Sequence, residues 1–201
     1  GYYSREDVRK LIIFAKELNI EIMPEIDLPA HSWALLKIMP DLYDHSSIIE
    51  SEDIGNYKNN TINPALPSTW KFLKKTIEEI SSLFPFDIVH VGLDERPKLA
   101  WAGSQKIIEM MKEKNLLTYE EVQDFYMNKL INLLKDKKKK AAAWNEAILP
   151  PHKEIGSGGG TGNIDKNSLI FAWEHPDVAL LAVKKGFKIV MCPGQKTYFD
   201  M

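Results

Sequence analysis

Cysteine is nearly absent from this chain: Cys192 is the single one among 201 residues. One thiol makes no intrachain disulfide framework and no multi-cysteine zinc site. No run of about 18 apolar residues occurs, so no segment reads as a membrane-spanning helix, and a membrane is not an expected partner. A surplus of either charge is missing too, since 26 basic against 28 acidic side chains leave a formal charge of −2. A general nucleic-acid binder carries a basic excess, so that class is set aside. The opening residues lack the charge, apolar stretch and small-residue cleavage site of a signal peptide, and the compartment stays open. What is present suits one sizeable core: 44% apolar, 10% aromatic and 27% charged residues.

Periodicity divides the chain into alternating elements. Ser4 with Asp7 three residues on resembles a capping box, and Val8, Leu11, Ile12, Ala15 and Leu18 follow at helical spacing up to Asn19. A short strand is expected over 21–26. A long polar loop is expected over 44–67. Ser68 reads as the cap of a helix whose face carries Leu73, Ile77, Ile80 and Phe84, stopped by Pro85. The best strand is 87–93. Helices open at Ser104 and at Thr118, the latter with Glu121 in capping-box position. Lys137 to Lys140 reads as cations at a helix C-terminus. Strands at 141–144 and 169–173 flank a glycine-rich run, Gly156 to Gly162, which lacks a phosphate-loop ending and reads as a flexible loop. A helix from Pro176 to Lys185 ends at Gly186 and delivers a strand over 188–192.

Apolar strands each followed by a helix indicate an α/β fold with a parallel sheet. A doubly wound sheet and a (β/α)8 barrel both fit, and no Gly-x-Gly-x-x-Gly turn supports the dinucleotide form of the first. The polar residues favour the barrel. Glu25, Asp27 and His31 follow the first strand, and Asp94 and Glu95 the second. Trp144 and Glu146 follow the third, Trp173 and Glu174 the fourth, and Tyr198 and Asp200 the fifth. Barrel enzymes build their sites on that rim. Eight strands are needed and five are visible. The expectation is one catalytic-domain fragment over 1–201, the central part of a TIM barrel without its first strands and its last.

The adjacent acids Asp94 and Glu95 leave a strand end together. Close carboxylates raise one another's proton affinity, so one can serve as a general acid beside a charged neighbour. Trp144 and Trp173 on the same rim suit the apolar face of a sugar.

These residues carry a resemblance. Pro24-Glu25-Ile26-Asp27-Leu28-Pro29-Ala30-His31, His90-Val91-Gly92-Leu93-Asp94-Glu95, Ala143-Trp144-Asn145-Glu146, Trp173 and Tyr198-Phe199-Asp200 together look like glycoside hydrolase family 20, the β-N-acetylhexosaminidases. The order holds across essentially the whole chain. The resemblance implies retaining hydrolysis of N-acetylglucosaminides or N-acetylgalactosaminides, with the substrate's own acetamido group as nucleophile and no cofactor or metal. It implies Glu95 as general acid and later base, and Asp94 as holder of the acetamido N–H. Tyr198 would bond the acetamido oxygen, Trp144 and Trp173 would wall the pocket, Asp200 would contact sugar hydroxyls, and His31 would tune Glu95. Asp27, His90 and Glu146 are supporting positions. The family usually has glycine at Leu93 and Ala30 and an acid at Asn145, so Leu93 is expected to narrow the space before the acids.

Two other readings remain at this stage. One is a non-catalytic carbohydrate-binding relic of the same barrel, which would have no need of a proton donor. The other is a metal-dependent hydrolase using His31, His90, Asp27 and Asp94, though barrel metal sites usually cluster their histidines.

Overall fold

A computed structural model describes residues 2–45, 60–149 and 157–199. Its centre is a five-stranded parallel sheet made of β1 (Glu25–Leu28), β2 (Ile88–Gly92), β4 (Lys140–Trp144), β6 (Leu169–Ala172) and β7 (Lys188–Met191). They lie side by side in chain order, β1-β2-β4-β6-β7. A doubly wound sheet reverses direction at a switch point, and this one does not. The sheet is open, with β1 and β7 at its edges. Two short strands, β3 (Arg96–Pro97) and β5 (Ser157–Gly158), pair antiparallel above it. The helices are α1 (Arg5–Glu17), α2 (Trp33–Ile38), α3 (Pro67–Leu83), α4 (Gln105–Lys114), α5 (Tyr119–Lys135), α6 (Pro176–Lys184) and α7 (Gly194–Thr197). Among the described residues no helix is long and apolar enough to cross a membrane.

Alternation along β2 explains the layers. Val89 and Val91 point into a core shared with Leu73 and Ile77 of α3 and Tyr126, Leu130 and Leu134 of α5. His90 points the other way, edge-on to Trp144 at 4.8 Å and to Phe171 at 5.1 Å. Successive strand residues face opposite sides, so one strand serves a helix-packed core and an aromatic layer together.

Several local expectations change. The capping box at Ser4 and Asp7 forms in both directions, yet of the α1 stripe only Ala15 is buried. Leu11 and Leu18 stay about half exposed, since α1 packs on α3 and no described element covers that stripe. The strand expected over 21–26 starts after Pro24, whose missing N–H cannot serve a ladder. Ser68 is not a cap: Pro67 opens α3, and the Ser68 hydroxyl donates to the Asp41 carbonyl. Helix α2 and a 3-10 turn, Pro40–Leu42, stand in a stretch that carried no expectation. Of the loop expected over 44–67, residues 46–59 lie outside the described residues, while Asn60 to Asn63 are buried. Lys139 is not an exposed cation. Its ammonium is tucked under the turn after α3 and donates to the carbonyls of Phe84, Pro85 and Phe86 at 2.9, 3.1 and 2.7 Å.

The glycine run is packed rather than loose. Gly156 lies outside the described residues, but Gly158, Gly159 and Gly160 are buried. A Cβ on Gly159 would stand 2.0 Å from the Leu149 carbonyl oxygen, and one on Gly160 would stand 2.6 Å from that of Ala147. The run is rich in glycine because backbone and side chains press against it on several sides.

Candidate active site

The carboxyl ends of the strands meet as the sequence pattern anticipates. From β1 come Asp27 and, past the following turn, His31. The chain then leaves β2 through Gly92, Leu93, Asp94 and Glu95. Gly92 has φ +77°, and a Cβ there would stand 2.2 Å from Asp27 Oδ1. Glycine is required for β2 to pass this close to β1. His31, Leu93 and Glu95 also adopt left-handed backbone, with φ of 51°, 80° and 49°. Such a conformation costs a non-glycine residue roughly 1–2 kcal/mol. Two strained residues flanking Asp94 aim both acids into the mouth.

Asp27, His31, Asp94, Glu95, Trp144, Trp173 and Tyr198 line a single cavity of about 230 Å3. His31 Nε2 lies 3.2 Å from Asp94 Oδ2 and 3.4 Å from Glu95 Oε2, so one imidazole bridges the acid pair. Those two hydrogen bonds outweigh burial and push the His31 pKa up to about 11. His31 is therefore a cation at neutral pH. Burial, then a hydrogen bond to Asp94 and its charge, push the Asp27 carboxyl up to about 8. Asp94 is also pressed upward by burial, but hydrogen bonds from His31 and Asp27 hold it below the usual carboxylate range. Asp27 is thus the protonated member of the pair and donates to an ionised Asp94. Their buried Oδ1 atoms have no other donor within reach among the described residues.

Two more networks hold the walls. Trp144 Nε1 donates to Glu25 Oε1 at 2.8 Å, and His90 Nδ1 lies 3.0 Å from the same oxygen. Contact with His90 holds the Glu25 carboxyl below its usual range against the opposing effect of burial. Behind the other indole, Trp173 Nε1 reaches Glu146 Oε2 at 3.0 Å, and Asn145 Nδ2 donates to the same oxygen at 3.1 Å. Glu146 Oε1 stands 3.5 Å from the Glu95 backbone nitrogen. Burial, and then the charge of Glu174, push the Glu146 carboxyl well above its ordinary value. Asn145 Oδ1 accepts from the backbone N–H of Trp173 at 3.0 Å. An amide fits here because it accepts on one side and donates to Glu146 on the other, which an ionised acid cannot do.

The structure therefore brings together seven of the residues singled out from the sequence. His90 and Glu146 lie behind the cavity wall, and Asp200 lies outside the described residues. Leu93 does not narrow the space before the acids: its side chain is fully buried in the main core, because the left-handed turn rotates it away from the mouth. Glu25 belongs to the site as the partner of Trp144, a role the sequence reading passed over. Strand alternation relative to Asp27 was the available signal. Asp27, His31 and Asp94 each place one ligand atom within 4.8 Å of the others, the described group that could hold a cation. His31 would first have to lose its proton and both carboxylate contacts. His90 faces Glu25 instead, so the two histidines do not converge.

The whole chain, residues 1–201, matches the catalytic domain of glycosyl hydrolase family 20. It belongs to that family. Similar family members include a beta-hexosaminidase of Vibrio furnissii, 33% identical over 202 residues, a match covering all of this chain and 31% of that protein. Among solved structures, the exo beta-N-acetylglucosaminidase of Vibrio harveyi in complex with N-acetylglucosamine superposes with a TM-score of 0.89 at 34% identity, covering all of this chain and 30% of that one. The Flavobacterium johnsoniae chitobiase gives 0.78 at 31% identity, over 96% of this chain and 28% of that one. The chain thus spans about a third of the length of these family 20 relatives.

Proposed function

We propose that this chain is the central part of the catalytic barrel of a β-N-acetylhexosaminidase. The enzyme releases terminal N-acetylglucosamine or N-acetylgalactosamine with retention of configuration. The observation that carries the reading is the Asp94–Glu95 pair, bridged by one imidazole in a cavity walled by two indoles and a phenol. The name of the Vibrio harveyi relative and its bound sugar agree with it. Strand order without reversal and the uncovered apolar face of α1 support strands that stand beside β1 and β7 and close the barrel.

The chemistry follows from the pair. Glu95 gives its proton to the leaving glycosidic oxygen as the bond to the anomeric carbon breaks. Ionised Asp94 accepts the acetamido N–H and turns the carbonyl oxygen onto that carbon. Tyr198 donates to the same oxygen, while Trp144 and Trp173 hold the methyl end. The product of this step is a cyclic oxazolinium ion, which water opens with Glu95 now acting as base. A nucleophile held in attacking geometry has a high effective molarity, so the chain needs no carboxylate of its own for attack. An isolated binding site would gain nothing from a proton donor bridged to a second acid.

The test uses the enzyme that carries this segment within a complete barrel. It should hydrolyse a chromogenic N-acetyl-β-glucosaminide and leave the matching β-glucoside untouched, and a thiazoline mimic of the cyclic intermediate should inhibit it. Trapping a glycosyl ester on Asp94 or Glu95 with a fluorosugar would return the site to the ordinary two-carboxylate mechanism.

A further inference from the structure

The glycine run and a buried cation meet directly behind the acid pair, and the chemistry described so far uses neither. Arg96 follows Glu95 in sequence and is fully buried. Its guanidinium lies 4.6 Å from the centre of the Trp101 ring. Among the described residues its hydrogen bonds go to neutral oxygens: Gln123 Oε1 at 2.6 Å and the carbonyls of Pro97, Gly159 and Lys98 at 3.0, 3.4 and 3.5 Å. A fully buried charge whose described hydrogen bonds all go to neutral oxygens is costly to keep, so the arrangement asks for a purpose.

Gln123 supplies one. It is buried on α5, and with its oxygen taken by Arg96 its amide nitrogen must point the other way. There it donates to the carbonyls of Leu93 and Glu146, each at 3.3 Å. Leu93 and Glu95 are the two left-handed residues that aim the acids, and Glu146 is the residue whose carboxyl meets the Glu95 backbone. Arg96 also fixes which end of the Gln123 amide faces the turn, since guanidinium can only donate. The glycines make the space. A Cβ on Gly158 would stand 2.2 Å from the guanidinium Nη2 and 2.5 Å from its central carbon.

We propose that Gln123, oriented by Arg96 in a cradle closed by Gly158, is the positioning residue of the proton donor. By tying the carbonyls of Leu93 and Glu146 it holds the turn that points Glu95 at the leaving oxygen. This rests on the hexosaminidase reading above and names the part of the chain that keeps its acid aligned.

Misalignment of an acid has a signature that loss of fold does not. A poor leaving group needs the proton and a good one does not. Gln123→Leu in the complete enzyme should lower kcat about 30-fold or more on a phenyl N-acetyl-β-glucosaminide, an effect of the size a displacement of about 1 Å produces. On the dinitrophenyl analogue the same variant should lose less than about threefold, with KM unchanged within about twofold, since the acid is dispensable there. Arg96→Lys should show the same split, because an ammonium cannot replace the planar fork. Gly158→Ala keeps both side chains and only crowds the guanidinium, so it should show a smaller split and serves where the other variants fold poorly. Equal losses on the two substrates, or no loss, would overturn the positioning role. A wild-type enzyme that turned over neither substrate would overturn the hexosaminidase reading beneath it.

Discussion

The two ends of the parallel sheet are built from the same residue types and do opposite things with them. At the carboxyl ends Glu146 is buried, Asp27 and Asp94 are partly buried, and His31 stands over them at the exposed lip of the mouth. Their proton affinities are displaced by burial and by one another, and His31 and the two residues flanking Asp94 have left-handed backbone. At the amino ends, charged groups either lie in water or are fully satisfied. Lys139 there ties three carbonyls, and outside the sheet, between α1 and α3, Arg5 meets Glu79 at 2.7 Å with both side chains more than half exposed. Left-handed residues occur at the amino ends too, Asn19 and Lys138 at φ 57° and 58°, but in turns that follow helices and carry no group of the site. The difference teaches where the fold accepts energetic cost: one rim is arranged for chemistry and the other for stability. Substitutions on the two rims should therefore separate activity from stability.

The largest effect should come from the acid pair. Glu95→Gln should lower kcat by about 10²–10⁴-fold on poor leaving groups and far less on good ones, the range general acids contribute. Asp94→Asn should depress both, because the attacking amide loses the group that orients it. Steady-state kinetics on a leaving-group series checks the two together.

Next comes pH. With Asp27 protonated up to about pH 8, Asp27 and Asp94 together keep one negative charge below that pH and gain a second above it. An alkaline fall in kcat/KM near pH 8 should follow, and Asp27→Asn, which cannot ionise, should remove or shift it. The stability sign is the same. A carboxyl whose folded pKa is raised contributes stability that is complete below the ordinary carboxylate range and is lost as pH rises towards 8. Thermal melts of wild type and Asp27→Asn should converge at low pH and diverge through this window.

Smaller again is the wall. Glu25→Gln weakens the acceptor that holds the Trp144 indole, so KM for the N-acetyl sugar should rise about fivefold, the worth of about 1 kcal/mol of hydrogen bonding. At the opposite rim, Lys139→Met leaves three carbonyls without their donor. It should cost about 1–3 kcal/mol of stability in denaturant unfolding, with kcat per folded molecule unchanged. The smallest effect belongs to Arg5→Ala, which should cost less than about 1 kcal/mol because both partners of its ion pair are solvated. A catalytic change from either variant would break the separation.

Much of this arrangement was legible along the chain because it depends on neighbours. The capping box of Ser4 and Asp7, the Ser104 and Thr118 caps, the helix end at Asn19 and the five apolar strands are settled within a few residues. So is the placing of acids and indoles after each strand, since a strand that ends in a parallel sheet delivers its next residues to one rim. Local signals did not reach what distant segments decide. The α1 stripe looked like a buried face, but burial depends on what packs against it, and no described element covers Leu11 and Leu18. The glycine run looked loose, because the Arg96 guanidinium and the Leu149 carbonyl that crowd it come from elsewhere in the chain. Leu93 looked like a side chain of the mouth until its backbone turned it into the core. Protonation is the plainest case. Asp27 and Asp94 are the same residue type, 67 positions apart. Only folding brings them to one hydrogen bond, where His31 stabilises the charge of Asp94 and burial leaves the proton on Asp27.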